Sequence, residues 1–151
     1  MRFAQVRDIL DHTQAFHKRL SQYYQDLADH EEAVKIKMLL DYIARHERHL
    51  EKALADYEES ASTQVLDTWF QFSQDESTLK LPEDIQVKPY MSLDDVIRIG
   101  LKLDGQVIKV YEDAATNADV PEVRQVFKHL LELEQNEEQH LVRAALETRE
   151  M

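Results

Sequence analysis

Apolar residues recur three or four positions apart along almost the whole chain, the period of one helix face rather than of a strand. Val6, Leu10, Thr13, His17, Leu20, Tyr24 and Leu27 form a first row, and Ile36, Leu40, Ile43, Glu47, Leu50 and Leu54 a second. Leu93, Ile97, Gly100, Asp104, Val107 and Tyr111 form a third, and Val123, Phe127, Leu130, Glu134, Glu137 and Leu141 a fourth. Each row predicts a helix of about 25 residues or slightly more, roughly 40 Å long. Start signals support the partition. Asp29 with Glu32 reads as a capping box for the second helix, and Ser92 with Asp95 as one for the third. Asp119 is placed to cap the fourth, with Pro121 tolerated in its first turn.

Between Glu59 and Met91 the period is lost. Residues 60–77 mix Ser and Thr with Val65, Leu66, Trp69, Phe70 and Phe72 and have the composition for one short helix. Leu79 to Tyr90, with Pro82 and Pro89, reads as extended. Roughly 30 residues exceed what a tight turn needs and can span the full length of a bundle. A long connection flanked by two short ones predicts an all-α four-helix bundle, two antiparallel hairpins joined by a crossover. The expected organisation is a single domain, with one hairpin at about 3–58, the crossover at about 59–91 and the second hairpin at about 92–149.

The two halves also match in one ungapped register. Tyr24 falls on Tyr111, Asp26 on Asp113, Ala28 on Ala115, Glu47 on Glu134, Glu51 on Glu138 and Leu54 on Leu141. Leu20 with Val107, Ile36 with Val123, Lys37 with Arg124, Leu40 with Phe127 and Ile43 with Leu130 are similar pairs in that register. So many matches predict a duplicated hairpin.

Composition narrows the partners. A chain of 151 residues with only two glycines and three prolines suits long helices in a core that needs no staples. A formal charge of −12 disfavours nucleic acid and anionic membrane surfaces. Cysteine is absent, which removes disulfides, thiolate metal sites and a cysteine nucleophile from consideration. No apolar leader opens the chain and no window approaches a membrane span, so a soluble, cytoplasmic protein is expected.

The chemistry lies where each apolar row fails. Helix one puts His17 among core positions, helix two Glu47, helix three Asp104, and helix four both Glu134 and Glu137. In the repeat register His17 aligns with Asp104 and Glu47 with Glu134, so in an antiparallel bundle these groups can meet in one layer. Four buried carboxylates repel one another and lose hydration, at several kcal/mol per ion (an order-of-magnitude figure) unless neutralised. Lys18, Arg19, Arg48 and Lys102 fall off the inward rows. Protonation is one remedy. The other is metal: four negative charges balance two divalent ions, and oxygen donors with one imidazole suit iron or manganese.

With this layer the chain resembles the ferritin-like superfamily, particularly its rubrerythrin-type and related di-iron carboxylate members, over nearly everything outside the crossover. The resemblance rests on His17…Tyr24…Leu40-x-x-Ile43-x-x-x-Glu47 and Asp104…Tyr111…Phe127-x-x-Leu130-x-x-x-Glu134-x-x-Glu137. It implies one Glu from each of helices one and three and Glu-x-x-His from each of helices two and four. Here His17 and Asp104 occupy the single-Glu positions, Glu47 and Glu134 open the pairs, and Leu50 and Glu137 replace the two histidines. The implied metal set is therefore His17, Glu47, Asp104, Glu134 and Glu137, with Glu47 and Glu134 bridging and the other three terminal. The implied cofactor is iron, as two ions or one, with manganese as a variant. The implied activity is reaction of Fe(II) with dioxygen or peroxide as a di-iron-type oxidoreductase, with an external electron donor because the chain has no cysteine-ligated iron site of its own.

Other readings stand beside this one. His46 and His49, on the flanks of their helix, form a second candidate ligand pair, and Glu137-x-x-His140 is a literal Glu-x-x-His string that shares Glu137 with the first reading but abandons the repeat register; surface histidines are the plainer account. Tyr24 and Tyr111 lie two turns beyond His17 and Asp104, where core packing is the simpler role. Trp69, Phe70 and Phe72 read as packing or as a contact in a homodimer or higher homo-oligomer. The rival function is a metal-free bundle acting as a dimeric interaction or stress-related protein, its polar layer hydrogen-bonded and partly protonated.

Overall fold

The four apolar rows become four long helices in a computed structural model that describes residues 2–72, 79–82 and 90–151. In chain order the elements are β1 (Arg2–Gln5), α1 (Val6–His30), α2 (Val34–Ser60), a single-turn α3 (Thr63–Leu66), β2 (Trp69–Phe72), α4 (Leu93–Asn117) and α5 (Pro121–Glu150). α1 packs chiefly on α2 and α4 on α5, giving the two expected antiparallel hairpins. Every member of the first row is buried, from Val6 through Leu27. Tyr24 and Tyr111, matched in the repeat, are both among the largest fully buried side chains, with Phe16 and Phe127. Burying side chains of this size stabilises the fold by about 1.5–3 kcal/mol each.

Two helix starts differ from the sequence reading. The chain stays helical through His30, so Asp29 ends α1 instead of capping α2, whose N-cap is Ala33 without a side-chain bond. Glu31 orders this turn instead. It is 5% exposed, and its two oxygens accept from the backbone N–H groups of Ala33 (3.2 Å) and Met91 (2.9 Å). That carboxylate ties the turn to the end of the crossover, a contact no local signal encodes. The N-cap of α5 is Val120, not Asp119, and Pro121 opens the helix where its missing N–H costs nothing. Ser92 and Asp95 do form the reciprocal capping box of α4.

The crossover runs the length of α1. Near its start, the Thr68 carbonyl accepts from the Val6 N–H at 3.2 Å and Asp67 pairs with Arg7. Farther along, the Leu79 carbonyl accepts from Arg19, and the Lys80 backbone exchanges hydrogen bonds with the Gln106 side chain. At its end Met91 meets Glu31. The expected short helix is only the one turn of α3. Trp69–Phe72 is instead a strand, paired antiparallel with Arg2–Gln5 so that Ala4 faces Phe70 and Arg2 faces Phe72. Phe70 and Phe72 pack inward, Phe70 against Phe127 with ring centroids 5.4 Å apart, while Trp69 stays exposed. The rest of the segments expected as helix and as extended chain lies outside the described residues.

Candidate functional site

At mid-length the rows bring their polar members together. His17 on α1 is fully buried, and both ring nitrogens meet carboxylates. Nδ1 lies 2.5 Å from Glu47 Oε2 on α2, and Nε2 lies 2.6 Å from Glu134 Oε1 on α5. A neutral imidazole has one N–H, so two such bonds require the imidazolium or a proton on one glutamate. Burial alone would drive the ring toward its neutral form. The charges of Glu134 and Glu47 and the hydrogen bonds to them outweigh it and hold the His17 pKa well above its ordinary value. Burial pushes the Glu47 carboxyl up, against the lowering effect of His17.

Asp104 on α4 is 4% exposed and makes no hydrogen bond to another described residue. Burial first, then the negative charges of Glu47 and Glu134, drives its pKa well above the usual carboxylate range. Glu134 Oε2 is also buried without a partner, as is the Tyr24 hydroxyl. Burial, reinforced by Asp104 and Glu47, raises the Tyr24 pKa and keeps that hydroxyl protonated. Tyr111 is raised by burial too, but its hydroxyl bonds with Thr13.

The five residues expected as ligands thus do not form one shell. His17, Glu47 and Glu134 are joined directly, Asp104 lies buried and unpartnered, and Glu137 stands apart. Glu137 accepts from His46 Nδ1 at 3.0 Å, with both side chains partly exposed. Between α2, α4 and α5 lies a cavity of about 20 Å³, lined by Glu47, Asp104, Glu137, His46, His140 and Leu50 among others. A water needs roughly 10–15 Å³ of such space, so the cavity suits one small particle. His46 and His140 were visible in the sequence as off-row histidines, and the cavity is what singles them out. His49 does not line it.

Among the described residues no three side chains already converge on a point as ion ligands. His17 accounts for this in part, because it takes one oxygen of each glutamate expected to bridge. Two ions do not fit this donor set: Leu50, 5% exposed, offers no donor where one ion would need its imidazole. Among the described residues Glu134 Oε2 has no partner and Asp104 no hydrogen bond, and Asp104 lines the cavity together with Glu47 and Glu137.

Comparison with known proteins agrees with the fold. The chain superimposes with a TM-score of 0.67 on a Thermotoga maritima crystal structure described as that of a candidate ferritin-like diiron-carboxylate protein, covering 98% of this chain and 99% of that one at 16% identity. No curated protein sequence matches it. Residues 19–146 match the sequence profile named rubrerythrin. That match takes in both hairpins and the crossover between them, and the chain belongs to the rubrerythrin family of the ferritin-like superfamily.

Proposed function

We propose that this protein binds a single divalent metal ion, iron foremost, in the polar layer of its bundle. The observation that carries the reading is Asp104: a carboxyl group buried in the core with no hydrogen bond to another described residue, lining a cavity of about 20 Å³. An unpaired buried carboxylate is costly, and a cation is the partner this donor set calls for. Glu47, Glu134 and Glu137 supply further oxygens. His17 holds Glu47 and Glu134 in place, and enters the shell itself only by releasing one of them. Iron bound here would supply the family's chemistry, reaction of Fe(II) with dioxygen or peroxide. The chain's own part is to hold the carboxylates at fixed spacing and, through Leu50 and the fully buried Tyr24, to keep bulk water from the layer. A separate molecule would serve as reductant, and a homo-oligomer as the assembled form.

One observation favours a second reading. His17 already satisfies one oxygen on each of Glu47 and Glu134, so a proton does part of the work of a metal, as in a bundle that has kept the fold and given up the ion. Metal content and anaerobic Fe(II) titration decide between them, with the wild type set against the Glu47→Gln/Glu134→Gln protein. One equivalent in the wild type, weakened in the variant, is expected. No uptake by folded wild-type protein would leave the metal-free bundle, and two equivalents would mean that His17 swings out.

A further inference from the structure

The two hairpins are repeats, but their outward faces differ. Along the groove between α4 and α5, Leu101 is 41% exposed and Leu146 46% exposed. The half-buried Ile97, Ile108, Leu131 and Val142 continue the same strip. In the first hairpin the residues matching Leu101, Gly105, Ile108 and Leu146 are Gln14, Lys18, Ser21 and Glu59. A hairpin of this fold therefore tolerates a polar face here, and the apolar one is no demand of the core. Gly105 adds a second observation. It lies in the middle of α4, where glycine is a poor helix former. At Gly100 the missing side chain is explained by Leu141, which an added Cβ would strike at 2.6 Å. At Gly105 an added Cβ would meet no described atom within 4 Å. Within the chain nothing uses that gap, whereas a helix packed closely on α4 from outside would.

The face is also complementary to itself. Arg149 and Asp94 form an ion pair across α5 and α4 at 3.0 Å, and Glu112 and Leu131 share a groove farther along. Between these anchors Leu101 is level with Val142, and Gly105 with Glu138. A two-fold axis crossing the helices at the level of Gly105 lays α4 antiparallel on α4 of a second copy, and α5 on its α5. Helical spacing then sets Leu101 opposite Ile108 of the second copy and Leu146 opposite its Leu131. Exposed charges of opposite sign meet as well. Arg98, beside its own Asp95, faces Glu112 of the second copy, and Arg143 faces its Glu132. Such pairs matter in a chain of net charge −12, whose copies otherwise repel. Like charges meet in two places, Glu138 with its own counterpart near the axis and Lys102 with Lys109 on the outer flank. The face is roughly 30 Å long and about 20 Å wide across two helices. Covering it would bury roughly 600 Å² per copy, the lower end of what a stable dimer uses.

We propose that the α4–α5 face is where a second copy of this chain docks, antiparallel about a two-fold axis at Gly105. The inference rests on the homo-oligomer reading above and names its face.

Sedimentation equilibrium of the whole protein tests it, with circular dichroism to confirm folding. The wild type is expected to dimerise. Leu101→Glu should weaken the dimer on the order of a hundredfold. Gly105→Gln should weaken it on the order of tenfold while raising the thermal midpoint of the monomer, because it fills the gap and improves the helix. Arg143→Glu and Glu132→Arg should each weaken association, and the double swap should restore it, since each copy then presents the reversed pair. Glu138→Gln should tighten the dimer severalfold by removing a like-charge meeting. A monomeric wild type would overturn this inference together with the homo-oligomer reading. A dimer indifferent to Leu101→Glu and Gly105→Gln would leave the homo-oligomer and overturn the face. Loss of association in both single charge variants without recovery in the double swap would overturn the antiparallel arrangement.

Discussion

In the first hairpin the polar layer is closed: His17 has a carboxylate on each nitrogen, and Leu50 seals the position beside Glu47. In the second, the matching Asp104 has no hydrogen bond to another described residue, and Glu137, which matches Leu50, lines a cavity with His140 and, from the first hairpin, His46, Glu47 and Leu50. The backbones are repeats and the two glutamates are retained, so the divergence comes from two side-chain positions per hairpin. It teaches that one bundle can treat matched buried positions differently. A proton shared through imidazole serves one side, and on the other Asp104 is left without a hydrogen bond to another described residue. Tyr24 and Tyr111 follow the same division, the first with a buried hydroxyl lacking a partner and the second bonded to Thr13.

Removing His17 should break the comparison most severely. His17→Leu keeps a buried apolar volume but leaves Glu47 and Glu134 facing each other without a cation, and removing one partner of a buried ionic group costs about 3–5 kcal/mol. Urea denaturation of the metal-free protein at pH 7 should show that loss. A loss under about 1 kcal/mol would mean that the two glutamates relax into water and that the clamp is incidental.

The opposite sign is expected on the other hairpin. Asp104→Asn removes a carboxyl group that burial and two neighbouring charges disfavour, and no hydrogen bond is lost with it. The metal-free protein at pH 7 should gain about 1–3 kcal/mol. If the variant is instead destabilised in the strictly metal-free state, Asp104 has a protein partner and the open half of the comparison fails.

Much of this was legible before any coordinates. The four rows persist over so many turns that no strand pattern competes, and their polar interruptions at His17, Glu47, Asp104 and Glu134 are all buried as expected. What escaped was decided by contacts distant in sequence. Arg2–Gln5 is too short for a period of two to register, and it is a strand only because Trp69–Phe72 lies beside it. Asp29 and Glu32 have capping chemistry at the right spacing, but Glu31, bonded across to Met91, decides where the turn falls. The side chain to which His17 would turn was equally invisible, since rows place residues in a layer and not their hydrogen bonds. His46 and His140 were discounted for lying off the rows, yet a rim is built from residues flanking a core face.

Leu50→His would make the first hairpin more like its family by adding an imidazole to the cavity wall. Fe(II) or Co(II) affinity should rise roughly tenfold, equivalent to about 1.4 kcal/mol. Stoichiometry sharpens the result: one equivalent retained means the new ring joins the existing ion, whereas a second equivalent means that His17 has released its glutamates to make room. Unchanged affinity would place the ion out of reach of position 50.

The smallest effect lies away from the layer, at a difference of the same kind. In the first hairpin Glu58 on α2 hydrogen-bonds Asp11 on α1, whereas the repeat-matched residues of the second are the buried Ala145 and Arg98, which pairs with Asp95. Burial, then the bond to Asp11 and its charge, raises the Glu58 pKa from 4.5 to about 7, with Arg7 opposing. A carboxyl group whose pKa is higher in the folded state holds a proton that the unfolded chain releases. Its contribution is therefore complete below pH 4.5, declines as pH rises through the interval to about 7, and is gone above it. Glu58 is largely solvent-facing, so screening reduces the effect to a few tenths of a kcal/mol (an order-of-magnitude figure). Glu58→Gln should flatten that decline, narrowing the difference between urea midpoints at pH 4.5 and pH 8, and Asp11→Asn should flatten it only in part, because burial of Glu58, the largest cause of the shift, remains. Equal slopes in wild type and Glu58→Gln would assign the decline to the His17 layer, and the two hairpins would then differ in their response to pH only at the bundle core.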